Sequence, residues 1–338
     1  MNHRNIPQLT TGQLQAETRV LVAGATGFIG RNLAAALVAR GCHVTVLVRD
    51  PARLDTDGAR VVTGDLADPD SFGRFDAPFD VVFNCAGLLG TWDTTAAEMQ
   101  AVNANGPVTL AHKLSQPPRC FVHVSTVGVS GPLTDLADED TPCHPVGSYQ
   151  ATKLAGEQQL LEEATGSGLP VVIARPSFTY GPGDTHKLAL FRAVKKKRFA
   201  FVGGGRGILH PLFIDDLVAG IQLCAAVGQA GQVYILGGER PVTVRELVNE
   251  IADAVDVPRP RLSLPVPLAR LAATVLELAG RLTNRPPPLT QSRVTLMSSN
   301  YGYSIAKARS QLGYAPSVDL ATGIRRTAAA YQAAGLMQ

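Results

Sequence analysis

The chain has 338 residues, of which 45% are hydrophobic and 17% are charged, with a formal net charge of +3 at pH 7. These values indicate a globular protein of one large or two modest domains. The small net charge gives no electrostatic reason to expect nucleic acid as a partner. The one dense basic run, residues 195–198, is typical of a solvated helix end or loop.

The cysteines, the first residues and the longest apolar stretch exclude further classes. The five cysteines form no CxxC pair and no Cys/His array, so the sequence predicts no metal site and no disulfide framework. Reduced thiols favour a cytoplasmic protein. Residues 1–17 form a polar tail without the apolar region of a signal peptide. The helix candidate at 267–282 carries three charged residues, so we expect no stable membrane insertion and favour packing against its own domain over a membrane surface.

Strand and helix patterns alternate through the first half of the chain. Strands are predicted at 19–25, 43–48, 59–66, 80–87, 120–126 and 170–176. Helices are predicted at 30–41, at about 96–114 and from Tyr149 to near Gly166. Near-continuous apolar strands separated by helices indicate a parallel sheet covered on both faces. The predicted fold class is therefore α/β, with a doubly wound (Rossmann) sheet.

The pattern changes after Pro176, where Gly and Pro become frequent. Residues 231–238 read as one more strand that could return to the main sheet, and 243–255 as a helix that begins with a capping box. We therefore expect a smaller, interleaved α+β substrate lobe. The predicted division gives 18–176 and about 208–237 to the nucleotide-binding domain, and 177–207 and 238–330 to the lobe.

A glycine motif follows the first strand. "GATGFIG" places Gly24, Gly27 and Gly30 between a strand and a helix. At these positions the chain must turn tightly, approach a pyrophosphate and pack the helix on the strand. The helix N-terminus would offer free N–H groups to the phosphates. The motif lies in the first βαβ unit, so we favour dinucleotide binding over an ordinary turn.

The end of the second strand, "LVRDPAR", bears on the choice of cofactor. Val48 stands at the place where an acidic residue usually selects NAD, and Arg49 follows it. Arg31 and Arg53 could also approach a 2′-phosphate. Asp50 could either face the ribose or cap a turn. The sequence favours NADP(H), with NAD(H) as the alternative.

The stretch "GSYQATKLAGE" places Tyr149 four residues before Lys153. On a helix this spacing puts the phenol and the ammonium on one face, one turn apart. The pair alone fits a proton-transfer site or an ordinary surface helix.

Ten short motifs together give the chain a family likeness. The chain resembles the extended short-chain dehydrogenases/reductases, the NAD(P)-dependent epimerase/dehydratase group, over residues 19–320. Each motif is weak alone, but all ten occur in the family's order. They are "GATGFIG", "GDLAD", "NCAG", "VNANG", "HVST", "YQATK", "ARP", "YGPGD", "FIDDL" and "AKARSQLGYAP".

The resemblance implies a role for each matching residue. Tyr149 would be the proton donor or acceptor, with its pKa lowered by Lys153, and Thr126 would orient the substrate oxygen. Asp65 would contact the adenine, and Asn103 would have a structural or proton-relay role. The residues implied for the cofactor are Gly24, Thr26, Gly27, Phe28, Ile29, Gly30, Arg49, Asp65, Leu66, Ala86, Gly87, Asn103, Lys153 and Pro176. Those implied for the substrate are Leu88, Thr126, Tyr149 and Ser177.

Several other polar residues are given structural interpretations. His123 alternates within a strand and is expected to be a packed core residue rather than a base. Cys85 has no visible base partner. Asp215 and Asp216 resemble the family's domain-linking pair.

The resemblance also bears on the substrate. Sugar-nucleotide members usually carry an Arg where this chain has Leu209 and His210, although Arg206 or Arg240 could substitute. The C-terminal third is similar to 3β-hydroxysteroid dehydrogenases and dihydroflavonol reductases. The first hypothesis is an NADP(H)-dependent oxidoreductase acting on the carbonyl or secondary alcohol of a mostly apolar or polycyclic small molecule. The alternatives are a sugar-nucleotide epimerase or dehydratase and a non-catalytic NADP(H)-binding scaffold. A homodimer is possible.

Overall fold

The structure, a computed structural model, describes residues 14–90, 94–283 and 285–337. The strands are β1 Arg19–Ala23, β2 His43–Val48, β3 Arg60–Thr63, β4 Val81–Asn84, β5 Cys120–Val124, β6 Val171–Pro176, β7 Phe178–Tyr180, β8 Phe201–Val202, β9 Ile208–Leu209, β10 Pro211–Phe213, β11 Val233–Leu236, β12 Val242–Thr243 and β13 Ser263–Leu264. The α-helices are α1 Phe28–Ala39, α2 Ala96–Met99, α3 Gly106–His112, α4 Ser148–Ser167, α5 Leu188–Lys195, α6 Ile214–Val227, α7 Val244–Ala254, α8 Val266–Thr283, α9 Gln291–Ser298, α10 Ala306–Leu312 and α11 Leu320–Ala333.

Seven parallel strands form the central sheet, in the order β3-β2-β1-β4-β5-β6-β11. Every residue of β4, β5 and β6 is buried, as expected for strands covered on both faces. The predicted doubly wound α/β fold is confirmed. Strand order reverses between β1 and β4, and a ligand of such a sheet binds outside the carboxyl ends of the strands at that point.

The helix predicted at about 96–114 is divided into three parts. α2 is followed by a π-helical segment, Gln100–Asn105, and then by α3. Pro107 has no N–H to give to the carbonyl of Asn103, so the regular ladder breaks there. Gly156 of α4 lies against that carbonyl, where a Cβ would overlap it. The absence of a side chain at Gly156 therefore lets α4 pack closely against the π-helical segment.

The second half forms short strands and the last strand of the sheet. β11 pairs with β6 at the sheet edge, as the sequence allowed. Thr243 caps α7 through the N–H of Glu246, but the Glu246 carboxylate pairs with Arg240, so the predicted capping box is only half formed. The division into a nucleotide-binding domain and a lobe stays a prediction. Leu14 belongs to the predicted polar tail, but its side chain is buried in the core.

The helix predicted at 267–282 is α8, and its packing differs from the expectation. Only three residues of α8 are buried: Ala269 and Ala273 pack against α9 and β8, and Gly280 faces residues 285–287. The large apolar side chains of the opposite side are exposed, because no other described element covers them. Among the described residues, no helix is long and apolar enough to span a membrane.

Candidate active site

The glycine loop builds a close-packed cradle between β1 and α1. Gly24 has φ +83°, and a Cβ there would lie 2.6 Å from the Ala86 nitrogen. A Cβ on Gly30 would overlap the carbonyl oxygen of Gly24. No side chain caps α1, so its first N–H groups are left for a ligand. These features fit a dinucleotide phosphate.

A cleft opens at the carboxyl ends of β1, β2 and β4, at the switch point of the sheet. Nine of the implied ligand-binding residues line it: Gly24, Thr26, Gly27, Arg49, Asp65, Leu66, Ala86, Gly87 and Leu88. The nine other implied residues are not in the lining: Phe28, Ile29, Gly30, Asn103, Thr126, Tyr149, Lys153, Pro176 and Ser177. Leu47, Gly64 and Val102 also line the cleft, and the sequence did not single them out because they are apolar or small.

The charged residues near the end of β2 have separate roles. Asp50 accepts a hydrogen bond from the Ala52 N–H at 3.1 Å, so it caps the turn at Pro51. Arg49 lies 3.9 Å from the Asp65 carboxylate in the cleft, and Arg53 lines the same cleft. Arg31 instead donates to the Gly183 carbonyl and pairs with Asp55.

Asn103 fastens the loop after β4. Its side chain is fully buried, accepts from the Leu88 N–H at 2.7 Å and donates to the Leu88 carbonyl at 3.0 Å. It also donates to the Thr152 hydroxyl of α4 at 3.1 Å. Asn103 therefore joins the cleft loop to the helix that carries Tyr149, and its contacts are structural.

Lys153 connects the cleft to α4. Its side chain is 2% exposed, and Nζ donates to the Val124 carbonyl at 2.7 Å. A Cβ on Gly87, which lines the cleft, would lie 4.0 Å from this Nζ. Burial lowers the pKa of Lys153 to about 8, against the opposite influence of Glu157 one turn further on.

His123 is buried as predicted, but it is linked to Lys153. The Ala86 N–H donates to Asn84 Oδ1, so the Asn84 amide group faces His123 Nδ1 at 3.3 Å. Burial holds the pKa of His123 well below its usual value, so the ring is neutral and carries one proton. With Nδ1 accepting, that proton lies on Nε2, 3.3 Å from Lys153 Nζ. His123, Lys153 and the Val124 carbonyl therefore form one buried polar network.

Tyr149 and Thr126 lie at the ends of two neighbouring elements. Tyr149 is in the first turn of α4, and Thr126 begins the turn after β5, with its hydroxyl accepting from the Gly128 N–H at 3.1 Å. A Cβ on Gly128 would lie 3.1 Å from Gln150 Cγ, next to Tyr149, so the two elements are in contact. Burial raises the pKa of Tyr149 to about 12. The prediction that Lys153 lowers the pKa of Tyr149 is wrong for the protein alone. The Lys153 Nζ contacts the Val124 carbonyl and His123 instead.

Two serines near this end of the sheet have buried hydroxyls. Neither Ser125 nor Ser177 has a hydrogen-bond partner for its Oγ among the described residues. Ser177 directly follows β6, and its N–H donates to the Leu236 carbonyl. Buried hydroxyls without partners are rare, so both can accept or donate to a ligand.

The residues given structural interpretations fit those roles. Burial raises the pKa of the Cys85 thiol to about 12, so it is no nucleophile at neutral pH. Asp216 accepts from the N–H groups of Ser317 and Val318, which ties the C-terminal segment to α6. Asp215 pairs with Arg326. The described residues contain no cluster of His, Cys, Asp and Glu that could hold a metal ion.

The positions that serve a diphosphate in sugar-nucleotide relatives are occupied differently. His210 is 2% exposed and lies 3.0 Å from the Gly238 carbonyl. Arg240 pairs with Glu246. Arg206 is exposed beside the glycine turn at 203–205.

A parallel sheet with a glycine cradle at its switch point defines a Rossmann-type dinucleotide-binding protein. The profile of the NAD dependent epimerase/dehydratase family matches residues 20–237, and the chain belongs to that family. This confirms the resemblance.

Two relatives of this chain are named as reductases. One is the 4-hydroxy-2-methyl-3-oxo-4-farnesyl-3,4-dihydroquinoline-1-oxide ketoreductase of Stigmatella aurantiaca, 32% identical over 317 residues, or 90% of this chain and 94% of that protein. The other is the 2-alkyl-3-oxoalkanoate reductase of Stenotrophomonas maltophilia, 30% identical over 327 residues, or 91% and 98% of the two chains. The crystal structure of gox2253 superposes with a TM-score of 0.79 at 26% identity, covering 95% of this chain and 100% of that one.

Proposed function

We propose that the protein is an NADPH-dependent ketoreductase that converts a ketone on a mostly apolar small molecule into a secondary alcohol. The observation that carries the proposal is the position of Lys153. Its Nζ lies beside Gly87 of the dinucleotide cleft, on the same helix and one turn after Tyr149. This position supports a site in which a dinucleotide in the cleft and Tyr149 act on the same substrate.

The mechanism needs one hydride and one proton. When bound, the reduced nicotinamide supplies the hydride to the carbonyl carbon. Tyr149 keeps its phenol protonated because its pKa is raised to about 12, so it can donate a proton to the carbonyl oxygen. The Thr126 hydroxyl binds that oxygen, and the Lys153 side chain binds the nicotinamide ribose. Tyr149 then recovers its proton from solvent, so the atoms balance.

The relatives and the site support a ketone rather than a sugar nucleotide. The two named relatives are a ketoreductase with a farnesyl-bearing quinoline in its name and a reductase of alkyl-oxoalkanoates. A nucleotide diphosphate needs cationic partners; Arg240 is paired with Glu246 and His210 is buried on a backbone carbonyl, which leaves the exposed Arg206. We therefore favour an apolar ketone substrate with a small polar end near Ser177.

The preference for NADPH rests on the end of β2. Arg49 and Arg53 both line the cleft there, and Asp50 is occupied in capping its own turn. A 2′-phosphate would meet two cations, of which Arg49 lies 3.9 Å from the Asp65 carboxylate, while the Asp50 carboxylate accepts from the Ala52 N–H. NAD(H) is the alternative outcome of the test below.

The proposal is tested by steady-state assays with 3-oxoalkanoates and polycyclic ketones. We expect NADPH consumption in stoichiometric amounts, and a fall in kcat of about 100- to 10,000-fold in Tyr149→Phe with NADPH affinity retained. Tyr234→Phe is the control, because Tyr234 lies on the edge strand β11 and its phenol donates to Gln311 of α10, outside the cleft.

Three outcomes contradict the proposal. Full turnover in Tyr149→Phe removes the proton donor. Conversion of a UDP- or dTDP-sugar without net cofactor change supports an epimerase or dehydratase. Tight cofactor binding with no turnover of either panel supports a scaffold protein.

A further inference from the structure

An apolar stripe runs along the exposed side of α8. Its residues are spaced alternately three and four apart, so they share one side of the helix, and they are 55–82% exposed. We call these residues the α8 stripe: Leu268, Leu271, Val275, Leu278 and Leu282. They lie opposite the buried Ala269, Ala273 and Gly280, so the helix is apolar on both its inner and its outer side.

The exposed apolar surface continues at the start of α8. Leu262 and Leu264 flank or lie in β13, directly before the helix, and are 72% and 39% exposed. A monomeric protein seldom leaves so many large apolar side chains next to each other in water, so this surface indicates an interaction site.

The charge around the stripe has one sign. Residues 257–299 contain six arginines and one glutamate, a local charge of +5, whereas the whole chain carries +3. The remaining residues therefore carry −2 in total. The single carboxylate, Glu277, accepts from the Gln291 N–H and is turned toward α9. Arg270 and Arg281 lie along one flank of the stripe by helical geometry.

Further cations lie beside the first turn of α8. Lys197, Arg261 and Leu262 line one groove together with Arg259, which is paired with Asp253. β8, which follows the basic run 195–198, pairs with β13 and so brings that run to this end of the helix. The basic run is a solvated helix end, as predicted, and it extends the cationic border of the apolar surface.

We propose that α8 lies in the surface of an anionic phospholipid bilayer, with the α8 stripe among the acyl chains and the arginines at the headgroups. A helix that is apolar on its outer side, has a cationic flank and contains charges that prevent spanning has the features of an interfacial helix. Anionic lipid adds attraction for each Lys or Arg near the surface. A second copy of this chain fits less well, because two such helices would bring Arg270 and Arg281 of each together without a free carboxylate to offset them.

The proposal is tested by flotation of the full chain with vesicles of phosphatidylcholine alone or with phosphatidylglycerol. We expect binding to the anionic vesicles, weakened by salt, and at least about tenfold weaker partitioning of the double variant Leu271→Ser, Leu278→Ser. Leu136→Ser is the matched control, because Leu136 is 61% exposed, against 64% for Leu271, and lies outside residues 257–299. Circular dichroism and thermal unfolding verify that the variants are folded.

The possible results distinguish a lipid bilayer from a second copy of this chain as the partner of the α8 stripe. Equal flotation of the double variant and the wild type, or no flotation with either lipid, overturns the proposal. Light scattering that shows a wild-type dimer, converted to a monomer by the double variant, assigns the stripe to a second copy instead. Equal binding to neutral and anionic vesicles would remove the role of the arginines and overturn the proposal in its stated form.

Discussion

Burial shifts the pKa values of Tyr149 and Lys153 in opposite directions. It raises the pKa of the phenol to about 12 and lowers that of the lysine to about 8, because each shift favours the neutral form. The protein groups alone therefore prepare a proton donor for carbonyl reduction. Removal of a proton from an alcohol, the reverse direction, needs additional positive charge near Tyr149. In the proposed reduction, the raised pKa therefore keeps the Tyr149 phenol protonated and able to donate.

Arg49 gives a prediction about cofactor choice. Arg49→Ala is expected to weaken NADPH binding by about 10- to 100-fold and to leave NADH binding nearly unchanged, because it removes a charge-assisted contact to the 2′-phosphate. Fluorescence titration with both cofactors measures the ratio of affinities. Asp50→Ala is the control, since Asp50 caps its own turn. An unchanged ratio in Arg49→Ala would exclude Arg49 from this role.

Some elements that build the site were predictable from local sequence, and others were not. The glycine motif, β1 and α1 were all predictable, because each depends on neighbours within a few residues. The π-helical segment at Gln100–Asn105 was not, although Pro107 signalled an interruption. The Asn103 carbonyl of this segment lies against Gly156, a residue more than fifty positions away, and a local pattern does not show such a contact.

Gly30 gives a prediction at this scale. Gly30→Ala is expected to cost about 1–3 kcal/mol of stability and to weaken NADPH binding at least about tenfold, because the new Cβ would overlap the Gly24 carbonyl and displace the loop. Urea unfolding and cofactor titration measure the two effects. Gly166→Ala is the control: nothing lies within 4 Å of its Cβ position in α4, so a small gain in stability is expected. Equal stability of Gly30→Ala and the wild type would refute this account of the cradle.

The fold of the whole molecule buries Lys153 in the interior. The free energy of unfolding should therefore depend on the ionisation of this side chain. Lys153 has a folded pKa of about 8, below its usual value of 10.5, so the cost of burying its charge is fully present below pH 8. Between pH 8 and 10.5 the unfolded chain binds more protons, so this group makes the protein more stable as the pH rises, by up to about 3 kcal/mol.

Lys153→Met removes this titration and provides the measurement. The variant should gain stability relative to the wild type at pH 7, and this advantage should shrink toward pH 10. Urea unfolding at both pH values gives the two differences, and other titrating groups cancel because both proteins contain them. Lys196→Met, at an exposed position after α5, is the control and should show no such change. A difference independent of pH would contradict the depressed pKa.

The sequence by itself determined the sheet, the glycine cradle and the membership of the family, because strand hydrophobicity, turn chemistry and motif order are local properties. It also placed Asp65, Ala86 and Gly87 on the cleft, since all follow parallel strands that end at the same edge. Only the tertiary structure decided that Asp50 caps a turn, that His123 contacts Lys153 and that Tyr149 has a raised pKa. It also decided that α8 leaves its large side chains in solvent, because an apolar pattern shows which side could be buried but not whether another element covers it.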